Sequence, residues 1–484
     1  MTANPRPDTP ADVVRGWLSA LHDSRSATEH EARAGTGAVE WRTRVPAAAD
    51  ADSADCAALG WAASGAMDLT GFADGPPVLS PAPAYGLLRE VARVFGDLTE
   101  RVGRRVAADP GSILAERAGL RGLRRDGQRT AGGAGRLLRA GDGWCAVSLS
   151  RPDDVEAVPA LVGEPCAEDA WTALEIAAAR WTATELAERA QLLGVPAAAL
   201  PATARRCVPW RTSRIADRAG GRGLGDRVVV DLSSLWAGPL CAQLLGRAGA
   251  RVVKVESVHR PDAGRSTPRF FDRLHAGHEF RSLDFRTTSG RDELADLIDS
   301  ADIVLEASRP RALEQLGLGP ADRPHRPGRI WLSLTGYGRD HPMRVAFGDD
   351  AAVAGGLVGW HDGEPVFCAD AIGDPLSGLC AALAVAGAVH AGGGLLIDLS
   401  MRACAAAFAT APVLPHGPHH LARHHGAWTV ECEHLHRTQP VLPPPIPAPV
   451  SAPAVRAMSA TATSLQAWRG NHSCATPFAT EGQR

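Results

Sequence analysis

Three stretches of this 484-residue chain hold residue types and spacings that suit chemistry. The first is D-L-S-S-L-W-A-G-P-L, residues 231–240, which follows an apolar run and opens a helical pattern. Small residues at a helix N-terminus can present backbone N–H groups to a phosphate or another oxygen. The stretch is neither G-x-G-x-x-G nor G-x-x-x-x-G-K-[ST], so dinucleotide and P-loop chemistry fit poorly. A tight turn without a ligand accounts equally well for Ala237, Gly238 and Pro239. The second stretch is G-D-P, residues 373–375, which places Asp374 at the start of an apolar helical run. The helix dipole favours a negative charge there, and Asp is equally a preferred N-cap. Asp349, in F-G-D-D at 347–350, reads from its position alone as turn or cap chemistry. The third stretch is a run of histidines (His416, His419, His420, His424, His425, His434 and His436) beside Cys432. These are metal-type donors, but their spacing fits no defined zinc pattern. The reading adopted for them is a poorly ordered tail with no metal.

The elements that must position these residues follow from apolar periodicity. Val228–Leu232 and Arg251–Glu256 read as buried strands flanking a helix from Pro239 to Ala248, which is a βαβ unit with a parallel pair. Further strands are expected at Ile303–Glu306, Ile330–Leu334 and Leu395–Leu399, and the apolar stretch Leu376–Val389 reads as a packed helix. The fold class expected is α/β, with an open doubly wound parallel (Rossmann-like) sheet in the second half. The first half reads as a smaller α+β module. Its expected helices span Ala11–His22, with Asp8 or Thr9 as N-cap, then Tyr85–Leu98, Ser112–Arg124, Asp153–Leu161 and Thr182–Leu193. A β-hairpin over 136–149 turns at Gly141-Asp142-Gly143. The expected division is a polar, partly helical segment 1–55, the α+β segment 56–202, an Arg/Gly-rich linker 203–225, the sheet domain 226–411 and a His/Pro-rich tail 412–484 with little regular structure.

Composition narrows the function classes. Apolar residues make up 45% and charged residues 22%, and the formal net charge is -3. That suits a soluble globular protein and argues against a general nucleic-acid binder. Ten cysteines without regular spacing point to reduced thiols and a cytoplasmic location. The N-terminal residues have no apolar h-region, and no stretch reads as a bilayer span.

Six blocks then occur in order: D-L-S-S-L-W-A-G-P, G-A-R-V-V-K-V-E, S-L-D-F-R-T-T-S-G-R-D-E-L, A-D-I-V-L-E-A-S-R-P-R-A-L-E-Q-L-G-L-G, S-L-T-G-Y-G and A-I-G-D-P-L-S-G. The succession, over about 226–411, resembles the class III coenzyme A transferases, the family of formyl-CoA and carnitine CoA transferases. The α-methylacyl-CoA racemases share that fold. The resemblance implies CoA transfer between an acyl-CoA and a carboxylic acid through an aspartyl-CoA thioester. Asp374, after Gly373, matches the family's nucleophile. Asp349 aligns with a position that orients substrate. The racemases carry Gly-His-Asp there, whereas this chain has Gly348 in place of the histidine base. CoA contacts fall by position on Ser234, Leu235, Trp236, Ala237, Leu283, Arg286, Ala307 and Ser308. Two family arginines are missing, at Ser257 and Gln315, and Arg309 and Arg311 lie close enough to substitute. Coenzyme A is implied as substrate, with no resident cofactor. Implied partners are acyl-CoA and carboxylate small molecules, and a homodimer, since family members form interlocked dimers.

The first half resembles a later part of the same family. S-G-A-M-D-L-T-G-F-A-D-G-P-P, residues 64–77, is similar to its S-G-x-x-x-x-T-G…D-G-P-P block, and R-L-L-R-A-G-D-G-W-C-A-V to the start of its small C-terminal domain. A fusion of two degenerate copies explains this order, and so does a permuted single unit. The first-half position matching the nucleophile falls near Gly86, where no carboxylate stands, so one aspartate site per chain is expected. Two alternative readings are an acyl-CoA racemase or isomerase and a catalytically inactive CoA-binding protein.

Overall fold

The computed structural model describes residues 8–21, 56–164 and 169–450. Its first helices are α1 (Pro10–Ser19), α2 (Ala57–Ala63), α3 (Ala82–Val102) and α4 (Pro110–Arg121). A small antiparallel sheet follows, made of β1 (Gly135–Arg139), β2 (Trp144–Ser148) and β3 (Ala197–Ala199), with α5 (Pro152–Glu156), α6 (Val158–Val162), α7 (Ala170–Ala178) and α8 (Ala183–Leu192) inserted before β3. The main sheet begins at β4 (Trp210–Arg214). It continues through β5 (Val228–Asp231), α9 (Ala237–Arg247), β6 (Arg251–Ser257), α10 (Pro268–Leu274), β7 (Glu279–Leu283), α11 (Thr288–Ser300), β8 (Ile303–Glu306), α12 (Arg311–Glu314) and β9 (Ile330–Thr335). Next come α13 (Gly348–Ala354), the hairpin β10 (Gly359–His361) and β11 (Glu364–Val366), α14 (Gly373–His390), β12 (Leu395–Ser400) and α15 (Met401–Ala409). The last strands are β13 (His419–His424), β14 (Ala427–Cys432) and β15 (Arg437–Pro440).

The central strands are buried almost continuously, and their side chains alternate between two cores. Val229, Val252, Ile303 and Leu305 enter one apolar core, and Val230, Val253 and Val304 enter another. Successive side chains of a strand point to opposite faces, so both faces of the sheet are covered. On one face lie α9, α14 and the first-half helix α3; on the other lies α11. Six strands are parallel in the order β7-β6-β5-β8-β9-β12, and β4 adds antiparallel at the β12 edge. The mixed α/β class with a parallel sheet is therefore as expected. Helix α14 is buried around nearly its whole circumference, which is why it reads as uniformly apolar rather than striped. At the chain's start, Thr9 caps α1 in a capping box with Asp12, and Pro10 occupies its first turn.

Three expectations need correction. The stretch read as a linker contains β4, whose W-R-T-S-R sequence is too polar to signal a strand because it lies at an edge with one face in solvent. The tail read as irregular forms the antiparallel sheet β13-β14-β15 up to Pro440. Its first hairpin turns at His425-Gly426, both at positive φ, which is the two-residue turn that matches strand twist. Residues 451–484 and most of 1–55 lie outside the described residues. The first half is also not one module: β1 to β3 and α6 to α8 have their own core, whereas α2, α3 and α4 share the core of the main sheet.

The two halves echo each other locally. Helix α3 opens Ala82-Pro83 with Gly86 four residues on, and α14 opens Asp374-Pro375 with Gly378 four residues on. These helices pack on one another. By this correspondence Ala82, fully buried, and not Gly86 as expected, takes the place of the α14 carboxylate.

Candidate active site

The start of α14 is assembled from backbone contacts that only glycine permits. A Cβ on Gly373 would lie 2.5 Å from the Gly348 carbonyl oxygen, and one on Gly348 would lie 2.5 Å from Asp374 Oδ2 and 2.3 Å from the Ala371 oxygen. The first turns of α13 and α14 therefore meet backbone to backbone, with the Asp374 carboxylate seated against Gly348. Ala369 and Ala371, at φ 55° and 45°, hold the preceding bend in the left-handed region that disfavours side chains. Such a bend persists only where its surroundings over-determine it. Here Asp349 Oδ1 accepts the Ala371 N–H at 3.0 Å and Thr70 Oγ1 accepts the Ala369 N–H at 3.0 Å.

Asp370, between the two strained alanines, is 1% exposed and bound in a fork by Arg117 of α4. Nε donates at 2.8 Å and Nη2 at 2.7 Å. This bidentate geometry is the strong form of an ion pair. The same guanidinium lies 4.9 Å from the ring centroid of Trp236, in the first strand-to-helix turn. Arg117 thus joins the bend before Asp374 to the turn after β5. Helix packing makes the same link, since a Cβ on Gly378 would lie 2.7 Å from the Ala237 oxygen. Asp374 is four residues earlier on that helix face, about 6 Å along the axis.

Asp349, Asp370 and Asp374 lie around the Arg117 guanidinium, with Asp350 beside them. Burial pushes the Asp374 carboxyl up to about 7; Arg117 opposes this, Asp370 adds to it, and the Gly348 N–H opposes it. Asp349 is raised well above the ordinary carboxylate range, first by burial and then by Asp370. Burial also carries Asp350 up to about 7, against hydrogen bonds from the backbone N–H groups of Phe347 and Asp350 and from Ser148. Asp350 is sealed from solvent and caps α13 through the Phe347 N–H at 2.9 Å, whereas Asp349 and Asp374 keep part of their surface open. Raised carboxylates with an ion-pair partner and partial access are the usual company of reacting groups.

The residues singled out for CoA fall along one edge. Ser234 and Leu235 follow β5, Arg286 follows β7, Ala307 and Ser308 follow β8, and Leu283 ends β7; these are the carboxyl ends of parallel strands, where such sheets bind ligands. Ser234, Leu235 and Arg286 are exposed, whereas Trp236, Ala237 and Leu283 are buried. Leu235 has φ 71°, and its N–H donates to Asp262 Oδ1 at 2.9 Å. Beneath this turn Lys254, fully buried, lies 3.1 Å from Asp262 Oδ2 and 3.8 Å from Asp231 Oδ2, and donates to the Ser233 carbonyl. Arg309, beside Ser308, is lowered from its ordinary value first by burial and then by Arg311, Arg151 and Arg260. That concentration of positive charge suits a phosphate.

Sequence reasoning did not single out Arg117, Asp370 or Lys254. Lys254 stands within the quoted block G-A-R-V-V-K-V-E, and a lysine inside an otherwise apolar strand was a signal for a buried charge needing partners. Arg117 had no such mark.

Gly348→Ala tests the geometry directly. Its Cβ would displace both the Asp374 carboxylate and the Ala371 carbonyl, and the backbone neighbour cannot swing away. The expected outcome is a destabilisation of about 1–3 kcal/mol in chemical denaturation, with loss of any reaction that uses Asp374. An unchanged midpoint would contradict the seating described.

Comparison with known proteins follows this geometry. Residues 224–438 match the model described as CoA-transferase family III. A succinyl-CoA–D-citramalate CoA-transferase of Chloroflexus aurantiacus is 32% identical over 198 residues, covering 37% of this chain and 49% of that relative. A probable fatty acyl-CoA transferase of Mycobacterium tuberculosis is 36% identical over 136 residues, covering 26% and 34%. A formyl-CoA:oxalate CoA-transferase of Escherichia coli is 30% identical over 165 residues, covering 31% and 40%. The chain spans about half or less of the length of these relatives. The matched region extends past the expected boundary at 411 and takes in β13 and β14. Over residues 224–438, therefore, this chain is similar to CoA-transferase family III.

Proposed function

We propose that this chain moves coenzyme A between an acyl-CoA and a carboxylic acid, with Asp374 as the covalent carboxylate. The observation that carries the reading is the partly open Asp374 carboxylate, seated against Gly348 at the start of α14 with Arg117 holding the bend beside it. One Asp374 oxygen attacks the thioester carbonyl carbon, the C–S bond breaks, and CoA leaves as thiolate from a mixed anhydride. The thiolate then attacks the aspartyl carbonyl, expels the donor carboxylate and forms an aspartyl-CoA thioester. An acceptor carboxylate attacks that thioester, and the released thiolate takes the acceptor's acyl group, freeing Asp374. A single covalent carboxylate divides a difficult exchange into easier steps.

In this reading the six parallel strands are a Rossmann-like nucleotide-binding sheet. Arg286 and the Arg309 cluster face the CoA phosphates at its carboxyl edge, and Ser234 to Ala237 line the cofactor end of the cleft. Asp349 orients the substrate end by fixing the Ala371 N–H. A two-base racemase would need a histidine at 348, and a side chain there meets Asp374 and the Ala371 oxygen. Arg117 comes from the same chain, so each chain holds one carboxylate cluster with its arginine.

The test is mass spectrometry of the full chain after incubation with a panel of acyl-CoAs and hydroxylamine, wild type beside Asp374→Ala. A hydroxamate or CoA adduct on the Asp374 peptide, absent from the variant, is the expected result. CoA binding without an adduct for any donor would overturn the covalent reading.

A further inference from the structure

The histidine-rich stretch and the first half of the chain meet at a point remote in sequence from Asp374. Cys56 immediately precedes α2, His416 lies in the loop before β13, His419 opens β13 and Cys432 closes β14. The four donor atoms lie within 4.8 Å of one another. His419 and Cys432 are directly opposed in the β13–β14 register, which places their side chains on the same face of the ribbon. Cys56 Sγ is 3.1 Å from His419 Nε2. His416 Nε2 is buried without a hydrogen-bond partner, and its ring stacks on His434 at 4.9 Å between centroids. Both sulfurs are sealed, with Cys56 3% and Cys432 1% exposed.

From this geometry we propose that Cys56, His416, His419 and Cys432 form a closed tetrahedral site for Zn2+. Two thiolates and two imidazoles are a donor set of structural zinc sites, and four protein ligands leave no open position. In a tetrahedron with Zn–S near 2.3 Å and Zn–N near 2.0 Å, donors stand about 3.3–3.8 Å apart, so the longest separations must close by about 1 Å and the 3.1 Å Cys56–His419 pair must open by a few tenths. Binding releases the two thiol protons to solvent. The neighbouring histidines are used otherwise: His420 pairs with Glu433 at 2.7 Å and His424 with Glu431 at 2.9 Å. The ion would fasten α2 to the β13-β14-β15 sheet, against which α2 already packs. That sheet continues into residues 443–448, which cross α4 at Gly119, where a Cβ would lie 2.1 Å from the Pro445 oxygen. Arg273 and Arg269 hold this strap through the Ala448 and Pro447 carbonyls, and Arg273 also pairs with Glu116 of α4. The site thereby braces the helix that carries Arg117.

The test uses the full chain, purified under reducing conditions and passed over chelating resin, with bound metal measured by plasma mass spectrometry. One Zn2+ per chain is expected, retained in His420→Ala/His424→Ala and lost in Cys56→Ser/Cys432→Ser. Because the cysteine variant can fail to fold, a second measurement needs no variant: Co2+ added to metal-stripped wild type should give the intense visible bands of a tetrahedral site and thiolate-to-cobalt charge-transfer bands. A wild-type chain without zinc and without those bands overturns the proposal. So does zinc lost in the His420/His424 variant, or an intact mass two hydrogens light that maps to a Cys56–Cys432 disulfide.

Discussion

Replacing Asp374 with Asn is expected to remove CoA transfer, by at least about 10³-fold in kcat/KM, and to stabilise the protein at pH 8. The two effects have one cause. The carboxyl is carried from an ordinary 3.8 to about 7 because burial, and then Asp370, disfavour its charge, with Arg117 compensating only in part. A raised carboxyl pKa means that the folded state binds more protons than the unfolded state between those values, so stability falls as pH rises through that window. Above about pH 7 the wild type holds an ionised carboxylate in an unfavourable place; below about pH 4 the group is neutral in both states and the difference vanishes. The Asn variant lacks this dependence. Its stability advantage should therefore grow between pH 4 and pH 7 and level off above, reaching on the order of 2 kcal/mol. Denaturant midpoints of both proteins across that range check it, with intact mass excluding deamidation back to Asp. Wild-type activity should rise over the same interval, since only the ionised carboxylate is a nucleophile. A constant offset between the two midpoints would mean that Asp374 is not strained in the folded state, and full activity in the variant would remove it from the chemistry.

What was legible in the sequence follows the range of the forces involved. Strands buried on both faces, such as V-V-V-D and I-V-L-E, are marked by their own composition, and α14 by a run too apolar for any surface. The helix start that carries Asp374 was legible from the local pair Gly373-Asp374 before an apolar run, whereas a catalytic role for Asp374 was implied only by the resemblance. The features that escaped are those made by long-range juxtaposition. The Arg117–Asp370 pair joins residues 253 apart in sequence, and α4 carries nothing that distinguishes this arginine from those on the surface. The Cys56–His419 contact spans 363 residues, so no ligand spacing along the chain could display it. Strand β13 escaped because histidine and alanine occupy positions that β-branched residues usually fill, although Trp428-Thr429-Val430 in β14 and Gly426 in the hairpin turn were visible signals.

The first half contributes most through Arg117, and Arg117→Met is expected to be the most destabilising single change near the site. Asp370 is almost completely buried, and removing its partner leaves an uncompensated carboxylate. Breaking a buried pair in this way costs about 3–5 kcal/mol. Two further consequences separate structure from chemistry. Arg117→Met with Asp370→Asn removes both charges, so stability should return to within about 1–2 kcal/mol of wild type. CoA transfer should stay impaired in that double variant, and its pH profile should move to higher pH, because the lowering effect of Arg117 on Asp374 outweighs the raising effect of Asp370 that is lost with it. Urea midpoints at two pH values, with pH–rate profiles for wild type, single and double variants, make the comparison. If the double variant regains both stability and the wild-type pH profile, Arg117 serves only to neutralise Asp370. If stability returns and the profile stays displaced, the first half of the chain tunes the carboxylate of the second, and the site belongs to neither half alone.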